Sequence, residues 1–394
     1  MTTVFRIVFA AVLAAVSGAW PVCAGADAAA AGWPASWWEA LPDGRAGCRL
    51  CPRRCNLADG ERGVCGVRIN RGGKLMTLDY GNPVALHVDP IEKKPFFHVW
   101  PGAAAYSIGL PGCNMRCKFC QNWEISQSIP EEAPAPETVL PAAIPGRAMA
   151  AGCPFVVFTY TEPAIFFEYM RDTARAARAA GLRTGMHTCG YINPEPLQEL
   201  LPLLDAVNVD LKGFTRDFYR KYGALAELDP VLNTLRQIHA AGVWLEITTL
   251  VIPGANDDPE DLRRMCRWIR DNLGADTPLH FTRFMPAFRL RNLPPTPVRR
   301  LELARRIALE CGLRFVYIGN VPGHPAEHTY CPGCGRVVIR RVGYVVQETA
   351  LRADGHCAAC GRVIPGLWPP VAAPASYPRA PAAESTAAAP PPGA

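Results

Sequence analysis

The order of apolar segments predicts an α/β protein with a partial (β/α)6 barrel of the TIM type and a small module at each end. Between residues 101 and 325, short apolar strands alternate with longer amphipathic helices, which is typical of parallel strands joined by right-handed crossovers. Six such units and one further strand-like run fit a barrel or partial barrel better than an open doubly wound sheet, although the periodicity is compatible with both.

The predicted strands are short. They are 106–110, 155–160, 183–187, 206–210, 245–251 and 279–284, with a seventh strand-like run at 315–318. Helices are predicted at 164–180, 230–241 and 259–273, where glycine stands near several of the ends. Because the carboxyl ends of parallel barrel strands meet at one mouth, we expect the chemistry there.

Composition divides the chain into five parts. They are a signal-like or tether segment with linker (1–36), a cysteine-rich N-terminal β module (37–100), the barrel (101–325), a zinc-ribbon-like module (326–368) and an Ala/Pro tail (369–394). The tail is predicted to be disordered, because it cannot bury enough apolar surface to offset its conformational entropy.

Charge and cysteine content narrow the function classes. The net charge of +6 is not gathered into a basic run, so it gives no strong indication of nucleic-acid binding and does not exclude RNA. The 16 cysteines are clustered at short spacings, which favours metal ligation over a secreted disulfide framework.

The first residues resemble a secretory signal, because Arg6 precedes an apolar run from Ile7 to Trp20. The run is short for a membrane span, and no twin-arginine pair is present. Export would carry a cluster-free chain into an oxidising compartment, so we expect a cytoplasmic protein. A membrane tether and a start codon placed too far upstream are the alternatives.

Three cysteines follow the first barrel strand in one tight loop, at Cys113, Cys117 and Cys120. Each thiolate can reach one iron of a [4Fe-4S] cluster, and the lack of a fourth nearby cysteine leaves one iron open. S-adenosylmethionine (SAM) can chelate an open iron through its amino and carboxylate groups, so that one electron breaks a carbon–sulfur bond. A zinc knuckle is disfavoured, since it normally uses cysteine pairs and four ligands.

This spacing, with Phe119 before the last cysteine, resembles the signature of the radical SAM superfamily, which implies that Phe119 packs near the adenine. More narrowly, the chain resembles pyruvate formate-lyase activating enzymes and, among these, the AmmeMemoRadiSam system radical SAM family. The resemblance extends over residues 48–368. It is carried by the stretches 48–55, 63–68, 89–95, 113–127, 160–163 and 209–212.

The resemblance implies contacts with SAM after two strands. Activating enzymes carry Gly-Gly-Glu-Pro where this chain has Tyr-Thr-Glu-Pro, which retains Glu162 as a contact for the SAM amino group. Its alternative role is a carboxylate at a helix N-terminus. Thr188, Asp210 and Lys212 are implied to lie beside SAM, with a rim ion pair of Asp210 and Lys212 as the alternative. His187 replaces an acid of the family's monovalent-cation site, which argues against that site here.

Further polar residues and cysteines are candidates. His280 and Arg283 on the sixth strand are possible contacts for the SAM carboxylate or the substrate. Two cysteine pairs, each followed by glycine, predict a closed, structural zinc ribbon, with a rubredoxin-like iron as the minor alternative. These are Cys331, Cys334, Cys357 and Cys360.

A four-cysteine set lies near the N-terminus. It consists of Cys48, Cys51, Cys55 and Cys65. The spacing allows zinc or a second iron–sulfur cluster, and we slightly favour zinc.

Together these features predict a radical SAM enzyme that cleaves SAM to methionine and a 5′-deoxyadenosyl radical, which abstracts hydrogen from a macromolecular substrate, protein or RNA. A flavodoxin or ferredoxin is implied as electron donor. The narrower resemblance implies a modification system associated with Memo and AMMECR1 family proteins. The alternatives are activation of a glycyl-radical enzyme and a non-catalytic zinc-binding interaction protein.

Overall fold

The computed structural model describes residues 32–369. The signal-like segment before residue 32 and the tail from residue 370 onward lie outside the described residues. Two three-stranded antiparallel sheets come first, in the orders β1-β6-β5 and β2-β3-β4. Their strands are β1 (Trp33–Pro34), β2 (Trp38–Ala40), β3 (Ala46–Cys48), β4 (Asn56–Leu57), β5 (Arg68–Arg71) and β6 (Lys74–Thr77).

The core is an eight-stranded sheet in which strands follow one another in chain order. They are β7 (Ala85–Pro90), β8 (Ala104–Gly109), β9 (Phe155–Phe158), β10 (Arg183–Thr188), β11 (Ala206–Asp210), β12 (Trp244–Val251), β13 (Leu279–Arg283) and β14 (Val316–Gly319). Strands β8 to β14 are parallel, and β7 pairs antiparallel with β8. The order contains no reversal of the kind that defines a doubly wound sheet.

Eight α-helices occur within residues 32–369, and most connect the parallel strands. They are α1 (Trp123–Ser126), α2 (Ile144–Ala150), α3 (Phe167–Ala179), α4 (Pro194–Leu200), α5 (Arg216–Tyr222), α6 (Leu228–Ala240), α7 (Pro259–Leu273) and α8 (Val298–Glu310). The predicted mixed α/β fold with parallel strands is therefore confirmed. β11 and α7 have the predicted bounds.

Helix α7 shows which local signals allowed its bounds to be predicted from the sequence. The Asp258 side chain accepts hydrogen bonds from the backbone N–H groups of Glu260 and Asp261, and Pro259 occupies the first helical position. Gly274 ends the helix with φ of 95°. The buried face repeats at helical spacing through Leu262, Met265, Cys266, Ile269 and Leu273.

The helix predicted at 164–180 begins later, because Pro163–Phe166 forms a 3-10 turn before α3. Strand β9 is buried along its whole length, as expected for a parallel strand covered on both faces. The segment 85–90, which sequence analysis placed in the N-terminal module, pairs with the large sheet as β7.

A third small sheet follows β14, with strands β15 (Thr329–Tyr330), β16 (Val337–Val342) and β17 (Val345–Thr349). Its buried face packs on the large sheet, where Phe97, Phe315 and Tyr317 share one apolar cluster with Val338 and Ile339. Across residues 32–369 we find no helix with the length and apolar character needed to cross a membrane.

Candidate active site at the carboxyl ends of the parallel strands

A cavity of about 400 Å³ opens where the parallel strands end. Its wall includes Thr161 after β9, Thr188 at the end of β10, Leu250 on β12, Thr282 on β13 and Asn320 after β14. Six consecutive crossovers thus bring side chains far apart in sequence to one place, as parallel α/β sheets do at their carboxyl edge.

The loop after β8 places Cys113, Cys117 and Cys120 on the wall of this cavity. Burial raises the pKa of Cys117 to about 12, so its thiolate forms readily only when a cation compensates the charge. The Cys120 sulfur lies 3.1 Å from the Ser126 hydroxyl. Three soft ligands facing one cavity fit a cluster that keeps one iron accessible.

Backbone contacts fix the shape of this loop. The Gly112 N–H donates to the Ile125 carbonyl at 2.9 Å, and the Cys113 N–H donates to the Cys65 carbonyl at 3.2 Å. Gly112 has φ of 88°, and a Cβ there would lie 2.5 Å from the Cys65 oxygen, so only glycine fits. The loop therefore rests directly on the N-terminal cysteine region.

Asp210 and Lys212 form a charged pair on the cavity wall. The Lys212 ammonium donates to one carboxylate oxygen at 2.7 Å, and His187 Nε2 lies 3.0 Å from the other. Burial opposes ionisation of Asp210, but Lys212 and His187 hold its pKa well below the usual range. Burial likewise opposes the charge of Lys212, but Asp210 and nearby thiols keep its pKa well above the ordinary value.

Phe119 also lines the cavity. Its ring packs against Phe218 with centroids 6.0 Å apart, and the Lys212 ammonium lies 5.9 Å from its centroid. The sequence-predicted residues Phe119, Thr188, Asp210 and Lys212 are thus brought together around one cavity.

Glu162 lies behind the wall and is fully buried. One carboxylate oxygen accepts hydrogen bonds from the Ala164 N–H and the Thr188 hydroxyl, and the other accepts from the Cys189 N–H. Glu162 therefore acts at a helix N-terminus, as the alternative interpretation held. It is not among the cavity-lining residues, and its contact with SAM remains a prediction.

His280 lines the cavity, whereas Arg283 does not. His280 Nε2 lies 2.7 Å from a carboxylate oxygen of the fully buried Glu246. The Arg283 guanidinium instead donates to the Thr296 carbonyl at 2.9 Å. The assignment of Arg283 to the mouth was wrong, because alternate strand residues face opposite sides and His280 and Thr282 take the inner positions.

Sequence analysis missed a group contributed by the segment after β7. Asp89 accepts hydrogen bonds from Lys94 at 2.6 Å, from Lys93 at 2.8 Å and from the Tyr160 hydroxyl. The buried Lys94 ammonium also lies 4.3 Å from the centroid of the Tyr160 ring. Burial lowers the pKa of Lys94 to about 8. Lys93, Lys94 and Tyr160 all line the cavity.

Tyr160 replaces a glycine of the family pattern and has a left-handed backbone, with φ of 70°. This conformation costs a non-glycine residue about 1–2 kcal/mol. The ring contact with Lys94 and the hydroxyl contact with Asp89 offset that cost. The motif at 89–95 signalled this group, but nothing in its pattern showed that it enters the cavity.

The C-terminal module reaches the same cavity through Tyr344, which lies in the turn between β16 and β17. Beneath that turn, Arg341 is fully buried and donates to the Phe97 carbonyl at 2.7 Å and the Thr329 hydroxyl at 2.9 Å. Its Nε lies 3.6 Å from the buried carboxylate of Glu92. No sequence pattern predicts this docking.

The four C-terminal cysteines converge at the end of this module. Their sulfur atoms lie within 4.8 Å of one another, with distances of 3.5 Å between Cys331 and Cys360 and 3.8 Å between Cys334 and Cys357. A tetrahedral metal with sulfur bonds of ~2.3 Å separates its ligands by ~3.8 Å. The set therefore fits one metal ion.

The N-terminal cysteines line a second, small cavity. The lining consists of Cys48, Cys51, Cys55, Cys65, Leu50, Arg53, Gly63, Arg68 and Ile165. These cysteines do not line the larger cavity.

Comparison with known proteins gives the chemistry a family context. Residues 107–266 match the Radical SAM superfamily. The uncharacterized protein MJ0808 of Methanocaldococcus jannaschii is 45% identical over 333 residues, covering 84% of this chain and 98% of that protein. The pyruvate formate-lyase 1-activating enzyme of Escherichia coli strain K12 is 26% identical over 163 residues, covering 41% of this chain and 66% of that enzyme.

Among solved structures, a domain of the pyruvate-formate lyase-activating enzyme from Bacteroides vulgatus ATCC 8482 matches with a TM-score of 0.37 and 16% identity. The match covers 42% of this chain and 98% of that domain. This likeness is too low to support a structural conclusion.

Proposed function

The chain belongs to the radical SAM superfamily and is a radical SAM enzyme, and on this premise we propose that Cys113, Cys117 and Cys120 hold its [4Fe-4S] cluster. The observation that carries the proposal is the placement of these three thiols on the wall of the cavity at the strand ends. When bound, the cluster supplies the electron that cleaves SAM to methionine and a 5′-deoxyadenosyl radical.

The chain's own residues bind and orient SAM in this proposal. The Lys212 ammonium is kept charged by Asp210 and suits the SAM carboxylate. Phe119 offers an apolar face for the adenine, and Thr188 lines the same cavity at the end of β10. Glu162 positions the Thr188 hydroxyl and the backbone of Cys189 through hydrogen bonds. The alternative is that Glu162 contacts the SAM amino group directly.

The rest of the cavity excludes water and holds the substrate near the radical. The strand order without reversal and the placement of the 400 Å³ cavity at the strand ends support a partial (β/α)6 barrel over residues 101–325. The compact C-terminal cysteine set supports a structural zinc ion in the module 326–368. Residues 37–100 form the N-terminal module in this proposal, and β7 at the end of this range pairs with the barrel sheet.

For substrate and partners we propose hydrogen abstraction from a macromolecule, protein or RNA, with flavodoxin or ferredoxin as donor in the cytoplasm. The stretches named above support membership of the AmmeMemoRadiSam system family, and with it an association with Memo and AMMECR1 family proteins. Because part of the chain is similar to pyruvate formate-lyase 1-activating enzyme, activation of a glycyl-radical enzyme is the second candidate function.

The test measures 5′-deoxyadenosine released by anaerobically reconstituted protein, reduced with dithionite in the presence of SAM. We expect Cys117→Ala to reduce release by at least about 100-fold, because the cluster loses a ligand. Cys153→Ala is the matched control, since Cys153 is a buried cysteine away from the cavity. Equal release by the wild type and Cys117→Ala contradicts the proposal.

A further inference from the structure

The four N-terminal cysteines stand apart from the active-site cavity and yet touch the loop that bears the other three. We propose that Cys48, Cys51, Cys55 and Cys65 hold a second iron–sulfur cluster, which relays electrons to the cluster in the cavity. The presence of this cluster is independent of the proposed function, whereas the relay rests on it.

The sulfur atoms of this set are less closely grouped than those of the C-terminal quartet. Within residues 32–369, the C-terminal quartet is the one group whose potential ligand atoms all lie within 4.8 Å of one another. The N-terminal quartet shares one cavity without being so compact. In a cubane each thiolate binds a different iron, so the sulfurs stand farther apart than around one zinc ion. The loop cysteines at 113–120 show the same wider arrangement.

An unpartnered donor points to an absent acceptor in this small cavity. Arg68 lines it, and the side chain is 1% exposed. Its Nη2 donates to both carboxylate oxygens of Glu168 at 2.7 Å, and its Nη1 donates to the Ser36 carbonyl at 2.8 Å. Its Nε has no hydrogen-bond partner. A buried N–H without an acceptor costs about 1–3 kcal/mol, and a cluster sulfur would remove that cost.

Two contacts join this set to the loop in the active-site cavity. The Cys113 N–H donates to the Cys65 carbonyl at 3.2 Å, and the Arg53 guanidinium, from the segment between Cys51 and Cys55, donates to the Asn114 carbonyl at 2.9 Å. None of the N-terminal cysteines lines the active-site cavity, so their cluster would lie on the opposite side of the loop from SAM. Cys55 is only partly buried, which leaves this side open to a donor protein. The position suits electron delivery and does not suit substrate ligation.

The electron count balances with one external donor. A reduced flavodoxin or ferredoxin gives one electron to the second cluster, which passes it to the cavity cluster and returns to its oxidised state. That electron is consumed when the carbon–sulfur bond of SAM breaks.

The first test asks which metal the N-terminal set binds. The triple variant Cys113→Ala, Cys117→Ala and Cys120→Ala removes the ligands in the cavity, and iron, sulfide and zinc are then measured per chain after anaerobic reconstitution. We expect about four irons and about four sulfides to remain, with a reduced-state paramagnetic resonance signal that SAM does not change. A variant without iron that carries about two zinc ions, one per quartet, overturns the proposal. This result does not depend on SAM cleavage.

The second test addresses the relay. Cys48→Ala with Cys51→Ala removes two ligands, and Cys266→Ala with Cys311→Ala is the matched control, because these two cysteines are buried outside all the sets. We expect flavodoxin-driven release of 5′-deoxyadenosine to fall at least about tenfold, while dithionite-driven release stays within about twofold. Equal losses with both donors, in a variant that keeps the SAM-sensitive cluster signal, overturn the relay.

A milder substitution covers the case in which the double variant fails to fold. Arg68→Lys keeps the positive charge beside Glu168 but removes the unpartnered Nε–H. Loss of an N–H···S contact lowers the reduction potential of a cluster. We expect the SAM-insensitive signal to require a lower potential for reduction in this variant, and an unchanged potential overturns the contact with Arg68.

Discussion

The loop in the active-site cavity and the C-terminal ribbon use the same ligand, cysteine, in two different arrangements. The loop presents three thiols on the wall of a cavity of about 400 Å³, so that one coordination position can remain open to a small molecule. The ribbon brings four sulfurs within 4.8 Å and leaves no position open. The number of thiols and the space beside them therefore separate a reactive site from a structural one.

The pKa values of the cysteine thiols also differ between the loop and the ribbon. Within the ribbon, the pKa of Cys357 is lowered to about 7, first by the backbone N–H of Cys360. Against the backbone N–H of Arg362, the Cys331 side chain and burial raise the pKa of Cys360 to about 11. Burial raises the pKa of Cys117 in the cavity to about 12. Cys357 therefore gives a thiolate more readily than the buried Cys117 does.

The largest effect is expected from breaking the ribbon alone. Cys334→Ser removes one of four ligands, and metal binding to such sites carries about 10–16 kcal/mol of apparent free energy in zinc-finger peptides. We expect the loss of one metal ion and a lower melting temperature, with iron content and SAM cleavage per iron retained. Metal analysis and calorimetry measure this, with Cys153→Ala as control. A variant that keeps its zinc and loses iron would reverse the roles given to the two sets.

An intermediate effect is expected from neutralising the acid beside the loop. In Asp210→Asn, Lys212 loses the carboxylate that raises its pKa, while burial continues to lower it. We expect SAM to bind about 10–100-fold more weakly, and binding to weaken further as the pH rises and the ammonium is lost. In the wild type, where Asp210 keeps the pKa of Lys212 well above its ordinary value, this decline should begin at a higher pH.

The control for this prediction is Asp229→Asn. Asp229 also pairs with a basic side chain, that of Arg216 at 2.8 Å, but both side chains are exposed. Exposed pairs contribute about 0–1 kcal/mol, so SAM binding should not change. Isothermal titration with SAM measures both variants. An Asp210→Asn protein whose affinity is independent of pH would show that Lys212 does not need Asp210 to remain charged.

The sequence located the loop cysteines and the strand ends because both signals are local. Cysteine spacing defines a ligand set within eight residues, and the run at 206–210 is apolar enough to bound a strand by itself. The orientation of Arg283 needed the strand register, which one residue of uncertainty reverses. Lys94 and Tyr344 could not be placed, because they line a cavity formed by distant segments of the chain and no periodicity records such docking.

The smallest effect is expected where the ribbon module docks on the rest of the protein. There Arg341 of the module contacts Glu92, which lies in the segment after β7. Glu92 is fully buried, and its Oε1 accepts from the Gly102 N–H at 3.0 Å while its Oε2 has no partner. Burial raises the pKa of Glu92 from 4.5 to about 7, against the opposing charge of Arg341. The folded protein therefore favours the protonated carboxyl.

A group whose pKa is higher in the folded than in the unfolded state stabilises fully below the unfolded value and loses that contribution as the pH rises through the folded value. For Glu92 the loss falls between pH of about 4.5 and about 7. We expect the wild type to lose about 1–3 kcal/mol more stability than Glu92→Gln between pH ~5 and ~8. Glu348→Gln, at an exposed ion pair of the same module, should follow the wild type. Thermal melts at the two pH values measure the difference. Parallel curves for the wild type and Glu92→Gln would mean that Glu92 stays ionised throughout, and that Arg341 compensates its charge despite the 3.6 Å separation.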